Sequence, residues 1–257
     1  MDARRLAREH PLPVFFTLAY GLAWMVYVPL AVTAGPLQRT VLATTAPTLA
    51  ALITHWLASG SFRAFRIVDT APRTILASVV GIALVVLAYV VLPAVATADP
   101  RKLNWGVLLS LSFYNWSTLL GGPLFEEPGW RGFALPRLQA QFGPLKATII
   151  LGVLWSCWHL PLFWHPHWTS SPLWIYVLLV TTLSFPFTFV ANLSRFAVIP
   201  AILVHAGFNT AGRFLGGLFG DLQPSTQMPF ELVMALSGLA VAAVLLLVTK
   251  GRLTATT

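Results

Sequence analysis

Two adjacent acidic residues, Glu126 and Glu127, continue a long apolar stretch, whereas the other acids lie at a terminus, in a connection or at the edge of such a stretch. An ionisable side chain is costly inside a bilayer and by default indicates function. Adjacent side chains point about 100° apart on a helix, so the two carboxylates would not share one role. Glu127 and Arg131 are four residues apart with the acid first, which is the favourable order for an ion pair.

That ion pair would hold Glu127 as an ionised structural element and leave Glu126 to face a cavity, where a carboxylate can act as a general base. The alternative is a cluster of charges at a membrane boundary, because the ends of spans tolerate charges. Pro128 follows the acid pair. Proline lacks a backbone donor and kinks helices, so we expect a bend that either opens a cavity or displaces Glu126.

Two later apolar stretches contain further candidates. His159 lies deep in one of them, with Trp155 one turn earlier, where it could orient the imidazole. His205 and Asn209 are four residues apart, so both side chains project from one helix face. An imidazole and an amide can together donate hydrogen bonds to a developing oxyanion. Each pattern also fits packing, either a hydrogen-bonded core histidine or an interhelical pair worth about 1 kcal/mol.

The composition indicates a membrane protein, since 57% of the residues are hydrophobic and 9% are charged, whereas soluble domains contain about 25% charged residues. A membrane-spanning helix needs about 20 mainly apolar residues. The sequence therefore predicts an all-α polytopic transmembrane helix bundle, with one integral membrane domain over residues 1–257. The predicted spans, about eight, are 12–32, 37–58, 74–97, 105–126, 146–164, 173–191, 196–217 and 231–249.

The basic residues indicate membrane topology rather than nucleic-acid binding. The net charge is +8, but the Lys and Arg residues are scattered between apolar runs and form no stripe. They are concentrated in the connections on the side of the N-terminus, which predicts a multi-pass protein of a prokaryotic cytoplasmic membrane with both termini cytoplasmic. In this topology Glu126 lies at the inner end of the fourth span, so the site would open toward the cytoplasm. The single cysteine, Cys157, is interpreted as core packing.

Three short motifs occur in order on three predicted spans: Glu126-Glu127-x-x-x-Arg131, Trp155-x-x-x-His159 and His205-x-x-x-Asn209. The ordered set resembles the CPBP family of intramembrane proteases, which includes the Rce1-type CAAX prenyl proteases and the bacterial Abi proteins. The resemblance covers residues 105–217, the expected catalytic core. The first three spans match only as apolar helices.

The resemblance implies an intramembrane endopeptidase whose substrate is a peptide or protein embedded in, or anchored to, the lipid bilayer. Glu126 and His159 would activate the attacking water. His205 and Asn209 would stabilise the oxyanion. The Glu127–Arg131 pair would hold the site together.

The sequence leaves open whether a divalent metal takes part in the reaction. The family is named as metalloproteases, but the chain has no His-Glu-x-x-His motif, the usual zinc-protease signature. Glu126, His159 and His205 are ligands of types that zinc accepts. A Glu–His pair can equally activate water without an ion.

Two other functions fit parts of the pattern. A non-catalytic membrane scaffold or bacteriocin-immunity protein would keep the helices without the chemistry, although all six motif residues are present. A small proton- or cation-coupled transporter would use Glu126 as its ion site. Transporters often contain inverted repeats with broken helices in both halves, whereas the polar residues of this chain lie from the fourth predicted span onward.

Overall fold

The computed structural model describes residues 2–35, 40–97, 106, 121–166, 168–169, 171–218 and 224–254. Within these ranges the regular structure is helical, apart from one isolated bridge between Arg66 and Ala197. The α-helices are α1 (Ala3–Glu9), α2 (Pro11–Thr33), α3 (Thr40–Thr44), α4 (Ala46–Ser59), α5 (Pro72–Val86), α6 (Leu92–Thr97), α7 (Pro123–Glu127), α8 (Leu135–Trp158), α9 (Leu173–Leu193), α10 (Val198–Leu218) and α11 (Pro224–Val248). The predicted all-α class is confirmed.

Among the described residues, six helical stretches are long and apolar enough to cross a membrane: Pro11–Thr33, Thr40–Ser59, Pro72–Thr97, Leu173–Leu193, Val198–Leu215 and Phe230–Val248. They agree with six of the predicted spans. Their outer faces expose large apolar side chains, such as Val32 at 80% and Leu247 at 78%. Such a surface is stable against lipid but not against water. The prediction of a polytopic membrane bundle is therefore confirmed.

The region around the acid pair differs from the prediction. The predicted span 105–126 lies mostly outside the described residues, and its last residues begin a new helix instead. A turn at Gly121 and Gly122 precedes Pro123, which opens α7. Proline is favoured at the first position of a helix, where its missing N–H is not needed. The acid pair thus lies in α7, which follows this turn and begins the helical path that continues beyond residue 128.

The predicted bend takes the form of a wider helical turn. A π-helical segment, Pro128–Ala134, follows α7 and leads into α8. It begins at Pro128, which cannot donate the hydrogen bond that would continue an α-helix. The helical path then continues to Gly143, whose φ of 74° interrupts α8. The second half of α8 and the 3-10 helix Leu160–Trp164 occupy the predicted span 146–164.

The helical segment that contains the acid pair is enclosed by protein. Every residue from Glu126 to Leu135 is buried. A Cβ atom on Gly129 would lie 2.5 Å from the carbonyl carbon and oxygen of Pro47, so only glycine fits against α4 at this point. Because its surroundings are protein and not lipid, this segment can contain three charged side chains.

One end of the bundle is formed by the connections after α4 and α9 and by the chain after α11. Val198 N donates to the carbonyl oxygen of Arg66 at 3.0 Å, which joins the first two of these connections. Asn192 Nδ2 donates to the carbonyl oxygen of Leu253 at 2.8 Å, which adds the third. Helix α1 packs against α4. We call this the Arg/Lys-rich end, because most of the basic residues lie in these segments.

The opposite end contains the connections after α2 and α8 and the start of α11. His165 Nε2 donates to the carbonyl oxygen of Gly35 at 2.8 Å, which ties the first two together. Thr169 Oγ1 donates to Glu231 Oε1 at 3.4 Å, which ties the second to α11. We call this the cavity end, because a cavity lies there.

Candidate active site

A cavity of about 430 Å³ lies at the cavity end of the bundle. Four of the six predicted catalytic residues line it: Glu126, His159, His205 and Asn209. They come from α7, from the end of α8 and from α10, so three separate helical elements contribute to one space. The arrangement that the sequence motifs predict, convergence on a shared pocket, is present in the structure.

The Glu126 carboxylate is buried, with 4% of the residue exposed, and is held on one side by Trp155. The indole Nε1 of Trp155 donates a hydrogen bond to Glu126 Oε2 at 3.0 Å. A Cβ atom on Gly122 would lie 2.9 Å from Glu126 Oε1 and 3.8 Å from Asn209 Nδ2. The turn before α7 therefore brings the backbone against the carboxylate, close to the amide of Asn209.

Trp155 contacts His159 through its backbone carbonyl and through its ring, whose centroid lies 6.5 Å from that of the imidazole. His159 Nδ1 lies 2.9 Å from the carbonyl oxygen of Trp155. A carbonyl only accepts, so Nδ1 must donate, and Nε2 of the neutral ring is then an acceptor. Aromatic side chains enclose the imidazole, and the ring centroids of Trp158 and Tyr176 lie 4.7 and 5.6 Å from its own.

The other two predicted residues, Glu127 and Arg131, lie behind the cavity wall. Arg131 Nη1 lies 3.1 Å from Glu127 Oε1, so the predicted ion pair is formed, and both side chains are buried. The Arg131 guanidinium lies between the rings of Trp155 and Phe187, 4.3 and 4.4 Å from their centroids. Cation–π contacts of this kind compensate part of the cost of burying the charge.

The carboxylate of this ion pair also forms a hydrogen bond with His205. Its Nδ1 lies 2.8 Å from Glu127 Oε1. An ionised carboxylate accepts hydrogen bonds, so Nδ1 donates here, and Nε2 can donate as well only when the imidazole is doubly protonated. Glu127, Arg131 and His205 therefore form one buried charged network, of which His205 is the member that reaches the cavity.

The structure corrects the expected position of the site relative to the basic residues. From the spacing of the apolar stretches, residues 127–145 are predicted to form a connection. Glu126 is then predicted to lie at the end of the bundle that contains Arg63 and Arg195. In the structure residues 128–142 are helical, and they run from the cavity end toward the Arg/Lys-rich end. Ring contacts show this direction, because Phe133 packs on Phe15, near the start of α2. Glu126 is thus at the opposite end from the one expected.

The predicted metal ligands do not form a ready metal site in this conformation. Among the described residues, no three His, Cys, Asp or Glu side chains are placed to hold a metal ion. Two features do suit metal-ligating histidines, since the Nδ1 atoms of His159 and His205 each have a second partner that fixes the ring. Zinc binding by Glu126, His159 and His205 stays a prediction.

Several lining residues come from parts of the chain that the motifs do not indicate. Tyr27 of α2 and Thr44 of α3 belong to spans that match the family only as apolar helices, and Tyr176 and Glu231 come from α9 and α11. Their only sequence signal is a polar atom within an apolar stretch. The spacing along the chain does not reveal which of these polar atoms face the same space.

Comparison with known proteins agrees with the motif pattern. Residues 104–211 match the family model described as type II CAAX prenyl endopeptidase Rce1-like, a range that contains all six motif residues. The chain is also similar to CAAX prenyl protease 2 of Methanococcus maripaludis, with 34% identity over 91 residues. That alignment covers 28% of this chain and 34% of the relative, so it spans about a third of the relative's length.

Proposed function

We propose that this chain is an intramembrane endopeptidase, because residues 104–211 match the family model described as type II CAAX prenyl endopeptidase Rce1-like. Its reaction is hydrolysis of a peptide bond in a membrane-associated peptide or protein. One observation carries this proposal: the predicted carboxylate, two imidazoles and amide line a single cavity inside a membrane-spanning bundle.

Glu126 acts as the general base. It takes a proton from a water molecule while the water oxygen attacks the scissile carbonyl carbon, and it returns the proton to the leaving amine. The Trp155 N–H fixes one carboxylate oxygen, so the orientation of the group does not depend on the substrate. His159 assists by accepting a hydrogen bond at Nε2, the acceptor atom of its tautomer.

The oxyanion of the tetrahedral intermediate is stabilised by donors on α10. Asn209 donates from its amide, and His205 donates from Nε2 when its ring is doubly protonated. Glu127 accepts the Nδ1 proton at 2.8 Å and balances the charge of that ring, while Arg131 holds Glu127. A fixed dipole or charge aimed at a developing oxyanion is among the largest contributions to acyl-transfer catalysis.

The wall of the cavity favours an apolar substrate segment. Besides the polar groups, it contains aromatic and aliphatic side chains, among them Trp168, Phe208, Phe230, Leu179 and Met234. Its volume is within the range of about 300–1,000 Å³ that is typical of ligand pockets. The similar archaeal protein is named as a prenyl protease, and for this chain we propose the wider class of membrane-associated peptides. We place the protein in a prokaryotic cytoplasmic membrane.

The test compares Glu126→Gln with wild type on a library of membrane-tethered fluorogenic peptides. Loss of a general base is expected to reduce hydrolysis by about 10²- to 10⁴-fold. Glu9→Gln is the matched control, because Glu9 is an exposed carboxylate that pairs with Arg5 at 2.9 Å, far from the cavity. Both variants are checked for a native melting temperature.

Equal hydrolysis by wild type and Glu126→Gln would remove the proposal. If Glu126→Gln also restored the phenotype of a deletion strain, a non-catalytic scaffold would be the better description. Proton-coupled flux in proteoliposomes, abolished by the same substitution, would instead indicate a transporter.

A further inference from the structure

We infer that the cavity opens on the non-cytoplasmic side of the membrane and receives its substrate from that side. The part that concerns the substrate rests on the proposed function. The orientation of the cavity depends only on the fold and on the distribution of basic residues.

The basic residues of the described chain are concentrated at the Arg/Lys-rich end. Ten of the 16 Lys and Arg residues lie in the helix termini and connections there: Arg4, Arg5, Arg8, Arg63, Arg66, Arg73, Lys146, Arg195, Lys250 and Arg252. Arg131 and Arg137 lie within the helical segment that joins the two ends. Short connections rich in Lys and Arg stay in the cytoplasm when a membrane protein inserts.

Of the four remaining basic residues, the structure describes Arg213, which lies at the cavity end. This arginine is exposed and lines the cavity. The other three lie outside the described residues. Among the described residues at the two ends the bias is thus ten against one, and the cavity is on the side with one.

The direction of the helices leaves no ambiguity about the cavity's position. Tyr20 donates a hydrogen bond to the carbonyl oxygen of Leu154, and Trp24 Nε1 donates to that of Trp158 at 3.0 Å. Helix α2 and the second half of α8 therefore run in the same direction, from the Arg/Lys-rich end to the cavity end. His159, which follows directly, must lie at the far end from Arg4 and Arg63.

The substrate class follows from this placement. A peptide bond that reaches Glu126 from this side belongs to a segment at the outer face of the membrane, for example a secreted peptide or the outer end of a membrane anchor. A peptide attached to the cytoplasmic surface would have to cross the thickness of the bundle to reach the same carboxylate.

Cysteine accessibility tests the orientation. Cys157 is the single cysteine of the chain, so Cys157→Ser gives a cysteine-free background. Two exposed aromatic residues form a matched pair of reporter sites, and neither belongs to the proposed machinery. Trp164 is 73% exposed at the cavity end, and Phe62 is 65% exposed at the Arg/Lys-rich end. Each is changed to cysteine and treated with a membrane-impermeant maleimide, in right-side-out spheroplasts and after permeabilisation.

We expect Trp164→Cys to be labelled in sealed spheroplasts and Phe62→Cys to be labelled only after permeabilisation. The reverse pattern, or equal labelling of both in sealed spheroplasts, would overturn the inference. Labelling does not depend on hydrolysis, so this result is separate from the fate of the proposed function. A membrane-impermeant peptide that purified protein cleaves is then added to the sealed spheroplasts, and we expect hydrolysis there that Glu126→Gln abolishes.

Discussion

The hydrogen bond between Trp155 and Glu126 allows a quantitative test of how the proposed general base is positioned. Trp155→Phe removes the indole donor that lies 3.0 Å from Glu126 Oε2 and keeps an aromatic ring against the Arg131 guanidinium. A hydrogen bond to a charged group contributes about 1.5–3 kcal/mol. At about 1.36 kcal/mol for each factor of ten in rate, the expected loss is about 10- to 150-fold.

The loss should fall on kcat rather than on KM, because the indole N–H contacts the proposed base, Glu126, and the retained ring preserves the cavity wall. The assay is steady-state hydrolysis of a membrane-tethered fluorogenic peptide in liposomes. Trp168→Phe is the matched control. Trp168 lines the same cavity and stacks on His159, with the two ring centroids 6.1 Å apart. Its Nε1 has no hydrogen-bond partner among the described residues.

We expect Trp168→Phe to stay close to wild type in kcat. A kcat for Trp155→Phe within a factor of about two of wild type, far below the range worked from the hydrogen-bond energy, would refute the positioning role. An equal loss in both variants would mean that the shape of the aromatic wall, and not the hydrogen bond, controls the reaction.

Three further predictions concern the network behind the cavity, the packing of the acid-bearing helix and the metal. Arg131→Met leaves the Glu127 carboxylate buried without its cation, so we expect a loss of about 3–5 kcal/mol in stability, measured by thermal unfolding in detergent. Gly129→Ala places a Cβ 2.5 Å from the backbone of Pro47, so we expect a lower melting temperature and reduced hydrolysis, whereas Gly21→Ala, with no atom within 4 Å, should behave as wild type. Under the proposed mechanism, in which Glu126 and His159 activate the water, extraction with EDTA leaves hydrolysis unchanged. Loss of activity that zinc restores would instead support zinc binding by Glu126, His159 and His205.

Much of the fold follows from local properties of the chain. An apolar stretch of about 20 residues spans a bilayer wherever it occurs, so six spans were predictable within a few residues. The spacing of Glu127 and Arg131 places them on one helix face, and that pair is present at 3.1 Å. The four residues that line the cavity were also recognisable, because a polar side chain in an apolar helix needs a polar environment.

The start of the acid-bearing helix was not predictable in this way. Hydropathy assigns residues 105–126 to a span and residues 127–145 to a connection, since the latter contain several charges. In the structure Glu127 and Arg131 are buried by neighbouring helices, which residues such as Gly129 allow to approach closely. Composition alone does not distinguish a charged helix surrounded by protein from a connection in water.

The sequence by itself thus determined the fold class and the ion pair within one helical segment, and it predicted the candidate catalytic side chains, because each depends on residues that are near one another along the chain. Only the tertiary structure decided that Trp155 holds Glu126, that Glu127 holds His205 and that the cavity lies away from the basic end. These depend on how distant helices pack and in which direction each one runs, and a linear pattern of residue types does not contain that information.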